Sequence, residues 1–184
     1  MRINRRAVVA SVCAAALSPL MLATSATAEP STSDDVSAAA RPAFEMPFPC
    51  NQAWRAGTRT NHDPQLAIDF NVGGGDADRY KPVNASWAGT ATVYHRTGHG
   101  YGTYVVINHG GGWTTLYAHL EDAAVRTGQR VVRGQRIGRV GKSGQQPTSH
   151  LHYEQRQNGN DVRAIFHGQP VYYFGERTLT SRNC

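Results

Sequence analysis

Short stretches that alternate between apolar and polar residues, separated by glycine, constrain the fold of this chain more than any other feature. In residues 66–72, Leu66, Ile68 and Phe70 fall on one face and Asp69 falls on the other. This period of two is typical of a half-buried β-strand, because successive side chains point to opposite faces. No long segment shows the 3.6-residue apolar period of an amphipathic helix. The sequence therefore predicts an all-β domain with minor helical content and a mostly antiparallel sheet.

The clearest strand pair lies in the middle of the chain. Residues 102–108 and 113–119 are rich in β-branched and aromatic residues, and they flank His109 and three glycines. Glycine-rich turns of this kind join antiparallel strands into hairpins. Strict alternation along the second arm places Tyr117 and His119 together, opposite the face that carries Leu116. We therefore expect His119 to lie opposite the more apolar face of its strand.

Two histidines near the C-terminal end of the domain lie two residues apart. His150 and His152 share one strand face with Glu154, whereas Leu151 and Tyr153 point the other way. The face with the histidines is predicted to carry a functional site, and the other face is predicted to pack into the core. A His-x-His pair alone is a weak signal, so its meaning depends on partners elsewhere in the chain.

Such partners are available. His62, Asp69 and His152 provide two imidazoles and one carboxylate, a ligand set that catalytic zinc uses with a fourth position left open. His119 and His150 are placed to face the same groove. Each of these residues alone could be an ordinary polar group on a solvated sheet face, and the metal hypothesis depends on their combination. Four other histidines are interpreted as surface or structural residues: His95, His99, His109 and His167.

The N-terminal region has the pattern of an export signal. Arg2, Arg5 and Arg6 precede an apolar run, and Ala26 and Ala28 form a small-residue cleavage site. We interpret residues 1–28 as a signal peptide, residues 29–42 as a flexible leader without aromatic residues, and residues 43–184 as one domain. Cleavage removes three arginines and no acids, which lowers the formal net charge from +6 to +3. The protein is therefore expected to be secreted, without stable membrane association, and monomeric.

Cysteine usage supports the same compartment. Cys13 lies in the signal peptide, so Cys50 and Cys184 remain as a pair in an oxidising environment. We predict a disulfide between the two ends of the domain. In the chain-entropy description, a disulfide that closes so long a loop raises the free energy of unfolding by roughly 4–5 kcal/mol at most.

A basic stretch between residues 126 and 142 has two interpretations. It carries five arginines and one lysine with no acidic residue between them. A solvated rim on short strands is the simpler interpretation, and attraction to anionic cell-wall polymers is the alternative. No nucleic-acid recognition motif is present, so nucleic acid is not an expected partner.

The ordered motifs of the domain resemble the lysostaphin-type zinc metallopeptidases of family M23, which cleave bacterial peptidoglycan. The resemblance covers residues 62–154 and is carried by Asp69-Phe70, Lys81-Pro82-Val83, residues 100–107, Leu116-Tyr117-Ala118-His119-Leu120, residues 132–138 and His150-Leu151-His152. It implies a duplicated hybrid motif fold, Zn²⁺ bound by His62, Asp69 and His152, and catalytic roles for His119 and His150. One of these histidines would activate water and the other would stabilise the oxyanion. The resemblance thus implies a peptidoglycan endopeptidase that cuts a cross-bridge or a stem peptide.

Two departures from the family pattern leave details open. Six residues separate His62 from Asp69 where the family has three, so His95 and His99 remain alternative ligands. The loop of residues 143–149 lacks the usual Gly-Pro before the first histidine of the pair, and we expect this loop to form a wall of the groove. Glu154 is either a partner of a site histidine or a solvated carboxylate.

Other functions fit the residues less well. Two histidines and a carboxylate also hold iron in non-haem oxygenases, but export disfavours ferrous chemistry. A non-catalytic wall-binding module or amidase activator on the same fold is the main alternative, although such relatives usually lose ligands. Gly128 and Gly134 lie in stretches similar to lipoyl-carrier hairpins, yet no lysine sits at either turn.

Overall fold

The structure is a computed structural model that describes residues 40–184. Within that range it contains β-strands and no α-helix, which confirms the predicted all-β fold. The predicted signal peptide and most of the predicted leader lie outside the described residues. The strands are β1 Ala53–Thr58, β2 Ile68–Asn71, β3 Pro82–Asn84, β4 Gly89–His95, β5 Thr103–Gly110, β6 Trp113–Ala123, β7 Arg130–Val131, β8 Arg136–Val140, β9 Leu151–Gln157, β10 Asn160–Val162, β11 Ile165–Phe166, β12 Gln169–Pro170 and β13 Gly175–Thr180.

One antiparallel sheet organises the domain. Its main path runs β13-β1-β2-β9-β6-β5-β4-β7, while β10 pairs with β9 and β8 bridges β6 and β3. The predicted central hairpin is present as β5 and β6, with Gly111 and Gly112 between them. The three strands that carry Asp69, His152 and His119 are β2, β9 and β6, and they are neighbours in space although they are far apart in the chain.

The main core covers one face of this sheet. Phe70, Tyr117 and Tyr153 are fully buried there, and Phe48 stacks on Trp54 with ring centroids 3.7 Å apart. Aromatic side chains bury large apolar areas, and this burial stabilises the packing of the loops on the sheet. Leu151 and Tyr153 both point into this core, as the alternation of β9 predicted.

His119 lies opposite the main core, as predicted, but it does not share a face with Tyr117, because β6 contains a bulge. Between the pairs Thr103–Leu120 and Val105–Tyr117, β6 has one more residue than β5. A bulge of this kind interrupts the alternation of side chains. Tyr117 and Leu120 therefore both lie in the main core, whereas His119, with a φ of 59°, turns to the opposite face. His119 reaches the site because the alternation breaks there.

The two ends of the domain are joined. β1 and β13 pair along their whole length, and a disulfide links Cys50 to Cys184 with a Cα–Cα distance of 4.7 Å. This confirms the predicted disulfide. Within residues 40–184, no helix is long and apolar enough to cross a membrane.

Candidate metal centre and active site

A row of paired residues across three strands forms the base of the site. Asp69 on β2 pairs with His152 on β9, and His152 pairs with Ala118 on β6. Residues directly opposite each other in an antiparallel sheet point to the same face. Ala118 is fully buried beside His152. The row is on the face opposite the main core.

Three ligand atoms converge at this row. Asp69 Oδ1 lies 3.3 Å from His62 Nε2 and 3.4 Å from His152 Nδ1, and all three atoms lie within 4.8 Å of one another. Asp69 Oδ1 is buried and accepts no hydrogen bond. An unsatisfied buried carboxylate oxygen is costly, and a cation among these atoms would satisfy it. The residues therefore fit a tetrahedral metal with one open position.

The charge of Asp69 is stabilised by its surroundings. Burial alone would raise the pKa of this carboxyl, but the imidazoles of His152, His62 and His150 outweigh burial and hold it well below its usual range. Asp69 Oδ2 also accepts a hydrogen bond from the guanidinium of Arg59. Arg59 thereby fixes the carboxylate so that Oδ1 faces the histidines.

The long loop between β1 and β2 brings His62 to the site. The His62 amide donates to the Arg59 carbonyl, and the Ala67 amide donates to the Pro64 carbonyl, so the loop is folded on itself. His62 Nδ1 lies 3.3 Å from the Ala67 carbonyl oxygen. The six intervening residues thus form a compact turn that directs His62 Nε2 toward Asp69.

The alternative ligands lie elsewhere. His95 is exposed at the end of β4, with its Nδ1 3.4 Å from Thr103 Oγ1, and His99 is exposed in the following loop. His109 has a structural environment, since its two ring nitrogens lie 2.8 Å from the Ala88 carbonyl and from Thr115 Oγ1. His167 pairs with Glu45 on a different part of the surface.

Glu154 orients His152. Glu154 is buried, and its Oε1 lies 2.9 Å from His152 Nε2. A carboxylate can only accept here, so His152 carries its proton on Nε2 and presents the Nδ1 lone pair to Asp69 and the metal position. Tyr101 and Arg156 donate to the same carboxylate at 2.7 Å and 2.5 Å. Glu154 is therefore a partner of a site histidine and not a solvated carboxylate.

This network also sets protonation states. Burial would raise the pKa of Glu154, but the bonds from His152, Arg156 and Tyr101 lower it below its usual range. Burial and the neighbouring Glu154 carboxylate raise the pKa of Tyr101 above its usual value. Tyr101 therefore remains a hydrogen-bond donor at neutral pH.

His119 and His150 stand side by side, and the ring centroid of His119 lies 5.6 Å from that of His152. The ring centroids of His119 and His150 are 4.7 Å apart, and His119 Nδ1 and His150 Nδ1 lie 3.0 Å and 3.2 Å from the carbonyl oxygens of Ser143 and Thr148. Because a carbonyl only accepts, each Nδ1 carries the proton and each Nε2 is left with a lone pair. Burial and the nearby His150 and His152 lower the pKa of His119 to about 3. His119 is therefore neutral at neutral pH.

Acidic residues after β2 hold the start of the His-x-His segment. The Ser149 amide donates to Asp76 Oδ1 at 2.9 Å, and the Ser149 hydroxyl hydrogen-bonds to the buried Asp78. Lys142 forms an ion pair with Asp76 at 2.7 Å. These contacts fix the backbone immediately before His150.

The assembled residues line a groove of about 440 Å³. Gln146, Pro147 and Thr148 form part of its lining, as expected for the loop of residues 143–149, and Tyr101 lies at another part of the lining. The structure therefore brings His62, Asp69, His119, His150 and His152 together in one groove. The sequence alone assigns no role to Arg59 or Tyr101: Tyr101 lies within residues 100–107, which carry the family resemblance, and Arg59 has no local signal.

Comparison with known proteins gives a family match. The model of Peptidase family M23 matches residues 64–164, more than half of the chain. His62 lies just before that range, so its assignment depends on the geometry described above.

Two curated relatives illustrate the range of similarity. Peptidoglycan DD-endopeptidase ShyA from Vibrio cholerae is 45% identical over 85 residues, which cover 46% of this chain and 19% of ShyA. Beta-lytic metalloendopeptidase from Lysobacter enzymogenes is 28% identical over 147 residues, which cover 73% of this chain and 78% of that protein. The chain thus spans about a fifth of ShyA but most of the Lysobacter protein.

Solved structures share the fold. The M23 metalloprotease pseudoalterin has a TM-score of 0.57 at 24% identity, covering 70% of this chain and 80% of that one. A zinc-containing peptidase from Vibrio cholerae has a TM-score of 0.51 at 27% identity, covering 67% of this chain and 40% of that one. Because the family model matches more than half of the chain, and the shared fold and the His/Asp/His cluster agree with it, the chain belongs to peptidase family M23.

Proposed function

We propose that this protein is a secreted zinc-dependent endopeptidase that hydrolyses a peptide bond in bacterial peptidoglycan. The observation that carries the proposal is the convergence of His62 Nε2, Asp69 Oδ1 and His152 Nδ1. Of these atoms, Asp69 Oδ1 is buried and accepts no hydrogen bond. The names of relatives support the substrate class, since ShyA is a peptidoglycan DD-endopeptidase. The predicted signal peptide and the Cys50–Cys184 disulfide support secretion.

The residues of the site can divide the chemistry between them. His62, Asp69 and His152 would hold zinc, which supplies Lewis-acid activation of an amide carbonyl and of water. His119 and His150 present Nε2 lone pairs within the same groove, and either can accept a proton from the attacking water. Once protonated, that imidazole becomes a donor and can pass the proton to the leaving amine.

Two features support an enzyme over a non-catalytic module. All five site residues lie around one groove, and His119 is held there with a positive φ of 59°. Non-glycine residues in this conformation carry a strain of order 1–3 kcal/mol and occur often at functional sites. A module that only bound the cell wall would not require this arrangement.

Digestion of purified peptidoglycan, followed by mass analysis of the fragments, tests the proposal. The chain should release peptide fragments with intact sugars, a chelator should stop the release, and added zinc should restore it. Metal analysis of the purified protein separates zinc from iron. Release of sugar fragments with intact peptides would contradict a peptidase.

His62→Ala tests the ligand with the unusual spacing. We expect this variant to lose zinc, because His62 supplies one of the three converging atoms. His95→Ala is the matched control and should keep both zinc and activity, since His95 is exposed away from the groove. Unchanged zinc content in His62→Ala would contradict the proposed ligand set.

A further inference from the structure

A second cleft lies on the same face of the sheet as the metal groove, and Tyr101 lines both. This cleft has a volume of about 360 Å³, and Val106 on β5 and Leu116 on β6 contribute to it. Val106 pairs with Leu116, and Leu116 pairs with Glu154 on β9, so the cleft follows the row of residues next to the metal ligands. A molecule bound in the metal groove can therefore extend into the cleft across neighbouring strands.

Aromatic rings form one side of the cleft. Tyr94 and Tyr104 are paired across β4 and β5, and their rings stack with centroids 4.6 Å apart and an interplanar angle of 11°. The Tyr101 ring centroid lies 5.3 Å from that of Tyr104. Tyr104 is buried, but Tyr94 remains 39% exposed although it is large and apolar. A rigid, exposed aromatic ring on a sheet suits a ligand with C–H-rich faces, and a pyranose sugar has such faces.

Hydrogen-bonding groups surround the aromatic side. Arg96 is exposed, and its guanidinium carbon lies 5.9 Å from the Tyr104 ring centroid. Arg156 donates to Glu154 and to the Tyr101 hydroxyl, and Thr114 adds a hydroxyl. Arginine carries several donors in a fixed geometry, which suits the hydroxyl and acetamido oxygens of an amino sugar.

We propose that this cleft binds a sugar ring of the glycan strand while the attached peptide lies in the metal groove. This inference rests on the proposed function. Strands are about 4.8 Å apart, so β9 and β5 are separated by roughly 10 Å. An extended peptide spans about 3.3 Å per residue, so roughly three residues would connect the metal groove with the cleft. A peptide carboxylate would use the arginines but would leave the aromatic side without a partner.

Tyr94→Ala separates these ligands, because Tyr94 is exposed and far from the metal ligands. kcat/KM would be measured on a soluble cross-linked muropeptide and on the same peptide without sugars. We expect a loss of roughly 3- to 10-fold on the sugar-bearing substrate, from the loss of one aromatic contact, and no change on the sugar-free peptide. Tyr172→Ala is the matched control, since Tyr172 is 50% exposed outside the cleft.

The other outcomes each have a meaning. An equal loss on both substrates would overturn the sugar assignment and give the cleft to the peptide, and no loss on either would show that the cleft does not bind substrate. If the unaltered protein cleaves neither substrate, the proposed function fails instead. In that case binding of the sugar-bearing fragment would be measured by calorimetry. Weaker binding by Tyr94→Ala than by the unaltered protein would still support the cleft. Equal binding by the two proteins, or no binding by either, would overturn it.

Discussion

On β9, the side chains of both sheet faces are buried, but for different purposes. Leu151 and Tyr153 are 0% exposed on the core face, while His152 and Glu154 are 3% and 1% exposed on the site face. The core face buries apolar surface, which stabilises the fold. The site face buries a carboxylate oxygen without a hydrogen bond and orders histidines around it. Burial alone therefore does not distinguish packing from chemistry; the convergence of ligand atoms on an unsatisfied carboxylate oxygen does.

Removal of a proposed metal ligand should have the largest effect. We expect His152→Ala and Asp69→Ala to lose zinc and to fall to the activity of the chelator-treated protein, because each removes one of three converging ligand atoms. Elemental analysis and peptidoglycan digestion measure the two properties. Stoichiometric zinc in either variant would remove that residue from the ligand set.

His119→Ala and His150→Ala should separate catalysis from metal binding. Each is expected to retain zinc while the rate falls by roughly 100- to 10,000-fold, the usual effect of losing a general acid or base. The same two measurements apply. If His150→Ala loses zinc while His152→Ala retains it, the roles within the pair are reversed.

A substitution on the core face of the same strand should show the opposite pattern. Leu151→Ala removes a fully buried side chain, so we expect the free energy of unfolding to fall by about 2–5 kcal/mol. Denaturant titration measures this change. Folded Leu151→Ala should keep its zinc, and loss of zinc from the folded variant would show that the two faces are not independent.

Glu154→Gln tests the residue that orients the proposed metal ligand His152 by a hydrogen bond to its Nε2. We expect zinc affinity to fall by about 10- to 100-fold with the fold retained, because the His152 imidazole loses its charged acceptor. Competition with a chelator measures the affinity. Glu176→Gln is the control, since that side chain is 65% exposed on β13. Equal affinities in the two variants would contradict the role of Glu154.

The smallest effect concerns the bulge that turns His119 to the site face. Both His119→Gly and His119→Ala remove the imidazole, but only glycine adopts a positive φ without strain. We expect His119→Gly to be more stable than His119→Ala by about 1 kcal/mol in thermal or denaturant unfolding. Greater stability of the alanine variant would contradict a strained bulge.

The sequence by itself determined the strands that carry Asp69 and His152, and the burial of Leu151 and Tyr153. Alternation of side chains is a local property, so it can be read without knowing which strands become neighbours. The hairpin of β5 and β6 was equally local, because a glycine-rich turn joins its two arms. The disulfide followed from an even number of cysteines in a domain that the sequence predicts to be exported.

Only the tertiary structure decided how the remaining site residues reach the groove. His62 depends on the hydrogen bonds that fold its loop, and His119 depends on a bulge that separates it from Tyr117. The contacts of Arg59 with Asp69 and of Tyr101 with Glu154 join segments that are separate in the chain. Such contacts form when the sheet brings strands together, and the local pattern of residues does not encode where an irregularity in one strand will place a side chain.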